Sequence, residues 1–337
     1  MPQTKPSLEA PARPVDSSPP PCPVCSSAET RFYCHGRDRL FGLAPGRFPL
    51  FRCASCRCVF QSPIPDDALL AGFYPEEYWW SEKRSPGGCR ALLKRFEGIY
   101  REFVVLDHVR FLQRCARASS GRTLLDIGCG SGSFLAAARR RGFEAFGMDR
   151  SAHAVAAARR DGAVEARQGD IGSPIWQDRR FDFVTMFHIL EHLTDPRAGL
   201  RYAAGLLHPG GSLILQVPNI VSYQARAFGV RWYGLDVPRH VINFSPAALN
   251  LLLEDAGFRI HDVARFSLRD NPAAIASSLA PRLDPIGRHG RRRTSGALVD
   301  AALEIGYFAI VLLSLPPAIL ESLSGHGGTI WVQARQK

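Results

Sequence analysis

Lysine is nearly missing. Of 42 basic residues only four are Lys, at positions 5, 83, 94 and 337, and the rest are Arg. Selection for phosphate contacts has no reason to exclude Lys, since either cation neutralises a phosphate. The formal charge of +11 therefore reads as the product of a GC-rich coding bias more than as a nucleic-acid footprint. An apolar leader is also missing. Residues 1–21 hold seven prolines and no apolar stretch, which predicts a disordered tail, no secretory signal, and a cytoplasmic chain with reduced thiols. The 30 glycines follow no period, which excludes a collagen-like chain. With 46% hydrophobic and 22% charged residues, the chain is neither disordered throughout nor a multi-span membrane protein. Its 337 residues can build an ordinary core without a disulfide framework.

Cysteine, by contrast, is present nine times. Four thiols form two C-x-x-C pairs, Cys22/Cys25 and Cys53/Cys56. Two such knuckles complete a tetrahedral four-thiolate zinc site, so residues 22–62 read as a small zinc ribbon. The spacer between pairs is longer than usual, and Cys34 and Cys58 lie close enough to substitute. The competing reading, a redox C-x-x-C, needs a thioredoxin-like βαβ context that is absent. With four protein thiolates the zinc has no open position and is structural. Cys89, Cys115 and Cys129 are isolated and read as packing residues.

Residues 63–118 read as a connector with an aromatic cluster (Phe73, Tyr74, Tyr78, Trp79, Trp80). A long amphipathic helix over 91–117 follows, with Leu92, Phe96, Ile99, Phe103, Leu106 and Val109 at helical spacing. From residue 119 to 337 strand and helix signals alternate. Strands are expected at 122–127, 143–148, 164–168, 181–187, 211–217 and 258–266, with an edge-like strand at 329–334. Ser245 is the expected N-cap of a helix over 245–256. The pattern predicts an α/β fold with a Rossmann-like, seven-stranded, mostly parallel sheet and helices on both faces. A helical insertion at about 269–327 precedes the last strand.

The chemistry-bearing stretch is Asp126-Ile127-Gly128-Cys129-Gly130-Ser131-Gly132. A strand ends, and alternate glycines let the backbone bend tightly and approach a ligand. Ser133 stands where a dinucleotide fingerprint wants its third glycine, so no pyrophosphate site is specified. Asp149 ends the second strand, where a carboxylate can accept both ribose hydroxyls. Asp170 and Ile171 follow the third, and His188, Glu191 and His192 the fourth. All fall along one sheet edge.

The order of these segments resembles the class I S-adenosylmethionine-dependent methyltransferases, over about residues 91–268 plus the last strand. It is most similar to the ubiquinone-biosynthesis-like and sugar C-methyltransferase-like branches, some of which carry an N-terminal zinc ribbon. The resemblance implies S-adenosylmethionine as cofactor. Gly128, Gly130 and Gly132 would hold its methionine portion, Asp126 its amino group, Asp149 its ribose, and Asp170 with Ile171 its adenine, with His188 beside them. His188, His192 or His240 is the candidate general base; the alternative is that 188–192 only shapes the pocket. Tyr233, Arg239 and His240, in an aromatic and basic loop, are candidate acceptor contacts.

The acceptor is expected to be a small or lipid-linked metabolite. Adenine amino-methylating enzymes need an Asn/Asp-Pro-Pro-aromatic turn after strand four, where this chain has Phe187-His188-Ile189-Leu190. Cytosine C5 enzymes need a nucleophilic Cys there, and none is present. Nucleic acid is thus the less favoured partner, with ribosomal-RNA guanine N1 methylation the surviving alternative. A non-enzymatic zinc-binding scaffold is another. Residues 288–320 pair a basic run (Arg288, Arg291, Arg292, Arg293) with the apolar stretch Ile305–Leu320. That stretch falls short of the ~18 residues of a membrane span. It suggests either a buried helix or peripheral contact with the inner membrane face.

Overall fold

Consecutive residues of the central strands bury into two different cores, and this sets the architecture. The computed structural model describes residues 18–74, 105–162, 164–290 and 297–337. In it Leu124 packs into one apolar cluster and Leu125 into another; Phe183 and Val184 divide in the same way, as do Ile214 and Leu213. Side chains alternate between the faces of a strand, so a strand apolar at every step needs cover on both faces. The strands concerned are β4 (Thr123–Ile127), β7 (Phe181–Phe187) and β8 (Leu207–Pro218). They join β5 (Glu144–Asp149), β6 (Glu165–Gln168), β10 (Phe258–Ala264) and β11 (Thr329–Gln336). The sheet order is β10-β11-β8-β7-β4-β5-β6. Strands β6, β5, β4, β7 and β8 run parallel, while β11 is antiparallel to both of its neighbours.

The last strand corrects an expectation. Read as an edge, β11 lies between β8 and β10 and is buried along most of its length. The apolar residues Ile330, Trp331, Val332 and Ala334 reflect that central place.

Helices follow the sequence signals closely. Ser245 caps α7 (Pro246–Asp255) by accepting the Ala248 amide at 3.0 Å. Asp195 caps α5 (Pro196–Gly205) in the same manner. Of the helix expected over 91–117, residues 105–115 are helical (α2), and Ala116–Ala118 tighten into a 3-10 turn. The rest of that helix, the tail before residue 18, Cys89, and the aromatics Tyr78, Trp79 and Trp80 lie outside the described residues.

The N-terminal segment shares the main core. Strands β1 (Thr30–Gly36), β2 (Phe48–Cys53) and β3 (Val59–Gln61) form an antiparallel sheet. Its fourth strand is β9 (Ile242–Asn243), contributed by the loop after β8. Phe48, Leu50 and Phe60 belong to the same apolar cluster as Phe244 and Leu249. The Ser245 hydroxyl also donates to the Cys56 carbonyl at 2.5 Å, so one side chain caps α7 and holds a cysteine knuckle.

The insertion holds α8 (Asp270–Leu279), α9 (Pro285–Gly290), α10 (Ala297–Leu313) and α11 (Leu315–Leu323). Two expectations change here. Val299–Leu323 is long and apolar enough to cross a membrane by length and composition, beyond the shorter run read from sequence; only 22% of its most apolar window is buried. Arg288 is buried and paired with Asp300 and Glu304 of α10, each at 3.6 Å, so it supplies no surface charge. Arg291–Arg293 lie outside the described residues.

Candidate active site

Strand β4 is the switch point of the sheet: β5 lies on one side and β7 on the other. Ligands of such sheets bind beyond the carboxyl ends at this place. The turn after β4 holds Gly128, Gly130 and Gly132 at φ of 81°, 52° and 76°, a region L side chains rarely adopt. The Gly128 and Cys129 amides both donate to the Met148 carbonyl, at 2.7 and 3.0 Å, which ties the turn to β5. A Cβ on Gly128 would lie 2.1 Å from Ile189 Cδ1, so glycine lets this turn close on the segment after β7.

Asp149 is buried at the end of β5 and accepts the Gly130 amide at 2.9 Å and the Ser151 amide at 2.8 Å. Burial raises its carboxyl above the usual carboxylate range, while the two amides oppose the shift. Asp126 is deeper. Burial pushes its carboxyl up to about 7, although the Thr185 hydroxyl donates to it at 2.6 Å. The only sequence signal for Thr185 is a lone hydroxyl inside the apolar run Phe183–Phe187. Asp170 is exposed and sits 3.6 Å from Arg150, with half-buried Ile171 packed against the core. The turn, Asp126, Asp149 and Asp170 thus stand at neighbouring strand ends.

Beside them lies a buried histidine and carboxylate cluster. It follows β7 as a 3-10 turn (Leu190–His192), and His188 ahead of it takes a left-handed φ of 55°. His188 Nδ1 lies 3.2 Å from Glu191 Oε1 and its Nε2 3.3 Å from Asp270 Oδ2. With a carboxylate facing each nitrogen, the ring's pKa rises to about 9 despite burial. Asp270 is held well below the usual range by this imidazolium; it starts α8, far from β7 in sequence, and nothing in its local pattern flagged it.

His192 behaves oppositely. Burial and the neighbouring His240 lower it to about 4, so it is neutral at pH 7. Its Nδ1 lies 3.0 Å from the Arg239 carbonyl, which can only accept, and 2.9 Å from the Tyr74 hydroxyl. His240 likewise donates from Nδ1 to the Gly234 carbonyl at 2.8 Å. Its Nε2 stands 4.0 Å from Glu191 Oε1, and its ring packs edge-on against His192. Glu191 is fully buried, and its Oε2 has no hydrogen-bond partner among the described residues.

Arg239, expected at the acceptor, is elsewhere. It is fully buried, donates to Asp236 and Asp38 at 2.5 and 2.9 Å, and gives its remaining edge to the Phe73 carbonyl at 3.2 Å. Four of its five N–H groups are thus engaged inside the fold. Tyr233 is half-buried in the preceding turn, its amide donating to Ser278 Oγ at 2.9 Å.

The cysteine knuckles also meet. One sulfur each from Cys22, Cys25, Cys53 and Cys56 lies within 4.8 Å of all the others. Cys22–Cys56 is 3.6 Å and Cys25–Cys53 3.5 Å. A tetrahedron with Zn–S bonds near 2.3 Å has edges of about 3.8 Å, so this all-sulfur set fits a structural zinc. Cys58 is a fifth neighbour, 3.5 Å from Cys22 and 3.4 Å from Cys56. Cys34 is not in the group, and burial raises its thiol to about 11.

Known proteins similar to this chain are methyltransferases. Residues 100–263 match the model of a methyltransferase domain family. A protein of Mycolicibacterium smegmatis, described as a probable S-adenosylmethionine-dependent methyltransferase, is 28% identical over 207 residues, covering 59% of this chain and 66% of the relative. A ubiquinone biosynthesis O-methyltransferase of Xanthomonas axonopodis pv. citri is 30% identical over 181 residues, 50% of this chain and 76% of the relative. Another, from Alkalilimnicola ehrlichii, is 35% identical over 115 residues, where the chain spans 47% of its length. The chain belongs to the S-adenosylmethionine-dependent methyltransferases.

Proposed function

We propose that the chain transfers a methyl group from S-adenosylmethionine to a small or lipid-linked metabolite. The observation that carries this reading is the buried, half-satisfied Glu191 among three imidazoles, held against the glycine turn through Ile189. A buried carboxylate oxygen without a donor is costly, and sites that do proton chemistry are where such costs are kept.

The cofactor supplies an electrophilic methyl group. Gly128, Gly130 and Gly132 hold its methionine portion, Asp126 pairs with its amino group, Asp149 accepts from its ribose hydroxyls, and Asp170 with Ile171 borders the adenine. His188, a cation below pH 9, cannot accept a proton and instead positions Glu191. His240 is the base. Its Nδ1–H is fixed on the Gly234 carbonyl, so Nε2 carries the lone pair, and a proton taken there faces the Glu191 carboxylate, which stabilises it. His192 stays neutral and packs against that ring. Tyr233 borders the acceptor, and Cys22, Cys25, Cys53 and Cys56 hold a structural zinc.

The protein is cytoplasmic in this reading and meets the inner membrane face through residues 288–320. The support is the exposure of Ile305, Leu312, Leu313, Leu320 and Leu323 on α10 and α11, together with the basic run Arg291–Arg293 that precedes α10 in the sequence. Incubating extract with methyl-labelled cofactor tests the whole: label should enter lipid or soluble metabolites. Label in RNA would replace this reading with guanine methylation, and no label anywhere with the non-enzymatic scaffold.

A further inference from the structure

An open cleft lies between the N-terminal sheet and the insertion. Three segments far apart in sequence wall it: the end of β1 with the loop beyond, the turn around Tyr233, and the α8–α9 corner. Arg37, Arg39 and Arg231 line it, together with Asp236 and Asp284. The carboxylates have other work. Asp236 is engaged by Arg239, and Asp284 accepts the Ile286 amide at 2.9 Å. Arg37 and Arg231 make no hydrogen bond or ion pair with another described residue. Arg39 and Arg231 line the same cleft, and burial together with the second guanidinium lowers the pKa of Arg39.

Guanidiniums converging on one cleft repel one another unless an anion joins them. Their planar forks match phosphate oxygens, and a phosphate or pyrophosphate carries enough charge to satisfy more than one. The turn that presents Arg231 and Tyr233 leads directly into His240, so the cleft and the proposed base share one loop. We propose that this cleft binds the phosphate or pyrophosphate group of the methyl acceptor through Arg37, Arg39 and Arg231. The proposal rests on the methyltransferase reading and narrows its acceptor to a phosphorylated molecule.

The test titrates inorganic pyrophosphate into the full chain by calorimetry, with the Arg37→Gln/Arg231→Gln double variant beside it. A parallel arm measures flotation with phosphatidylcholine vesicles with and without phosphatidic acid. Pyrophosphate bound by the wild type and weakened about tenfold or more in the variant places a soluble phosphate ester in the cleft. Binding only to phosphatidic acid vesicles, lost in the variant, places a lipid-borne phosphate there. No pyrophosphate or phosphatidic acid binding, or binding the variant leaves unchanged, overturns the proposal. Cofactor affinity, measured on the same samples, stays unchanged in the variant. Its absence in the wild type would fail the methyltransferase reading separately.

Discussion

Arg239 and His240 are consecutive in the chain, yet their side chains end in opposite kinds of buried polar cluster. The Arg239 cluster is charge-paired: Asp38 and Asp236 face its guanidinium and the Phe73 carbonyl accepts from it. In the His240 cluster Glu191 keeps an oxygen without a partner, and neighbouring rings titrate in opposite directions. Both bury charge, which is expensive in either case. The first cluster spends that cost on joining loop to loop. The second leaves part of it unrepaid, which suits groups that must exchange a proton.

Substitutions should separate the two. Glu191→Gln should lower turnover about 10²–10⁴-fold while cofactor affinity by calorimetry stays the same; near-normal turnover would end the distinction. Arg239→Met leaves Asp38 and Asp236 buried and unpaired, and should cost about 3–5 kcal/mol in denaturant unfolding. The protein that remains folded should keep its turnover; a selective loss of turnover would return Arg239 to the acceptor site.

Asp126 sharpens the comparison through pH. Its carboxyl is raised from 3.8 to about 7 in the fold, so the folded chain holds a proton that the unfolded chain releases. Its contribution to stability therefore declines as pH rises from about 4 to 7 and stays low above that. Cofactor affinity should run the other way, rising up to about tenfold per unit as pH approaches 7 and levelling above it. Asp126→Asn should remove the slope. The smallest effect should come from Ser245→Ala, about 1–2 kcal/mol of stability for the lost cap, with turnover unchanged.

What the sequence disclosed divides along similar lines. Strand positions, the glycine turn and the Ser245 cap were legible because each rests on local periodicity or backbone chemistry. The central place of β11 was not, since an apolar run shows that a strand is buried but not which strands flank it. Nor was the fate of Arg239, whose partner Asp38 lies 201 residues away. The histidines were visible as candidates, but their roles depended on Asp270 and on tautomers set by carbonyls from another loop.

One small feature reaches further than its size. The two-residue strand β9 completes the N-terminal sheet, and the residue after Phe244 grips the Cys56 carbonyl. The cysteine-rich segment is therefore no detachable accessory. A chimera given a foreign ribbon would lose a strand partner at residues 242–243 and a tether at Ser245, both just downstream of His240. Exchange of front ends between related enzymes should succeed only when the ribbon and this short loop travel together as one heritable unit.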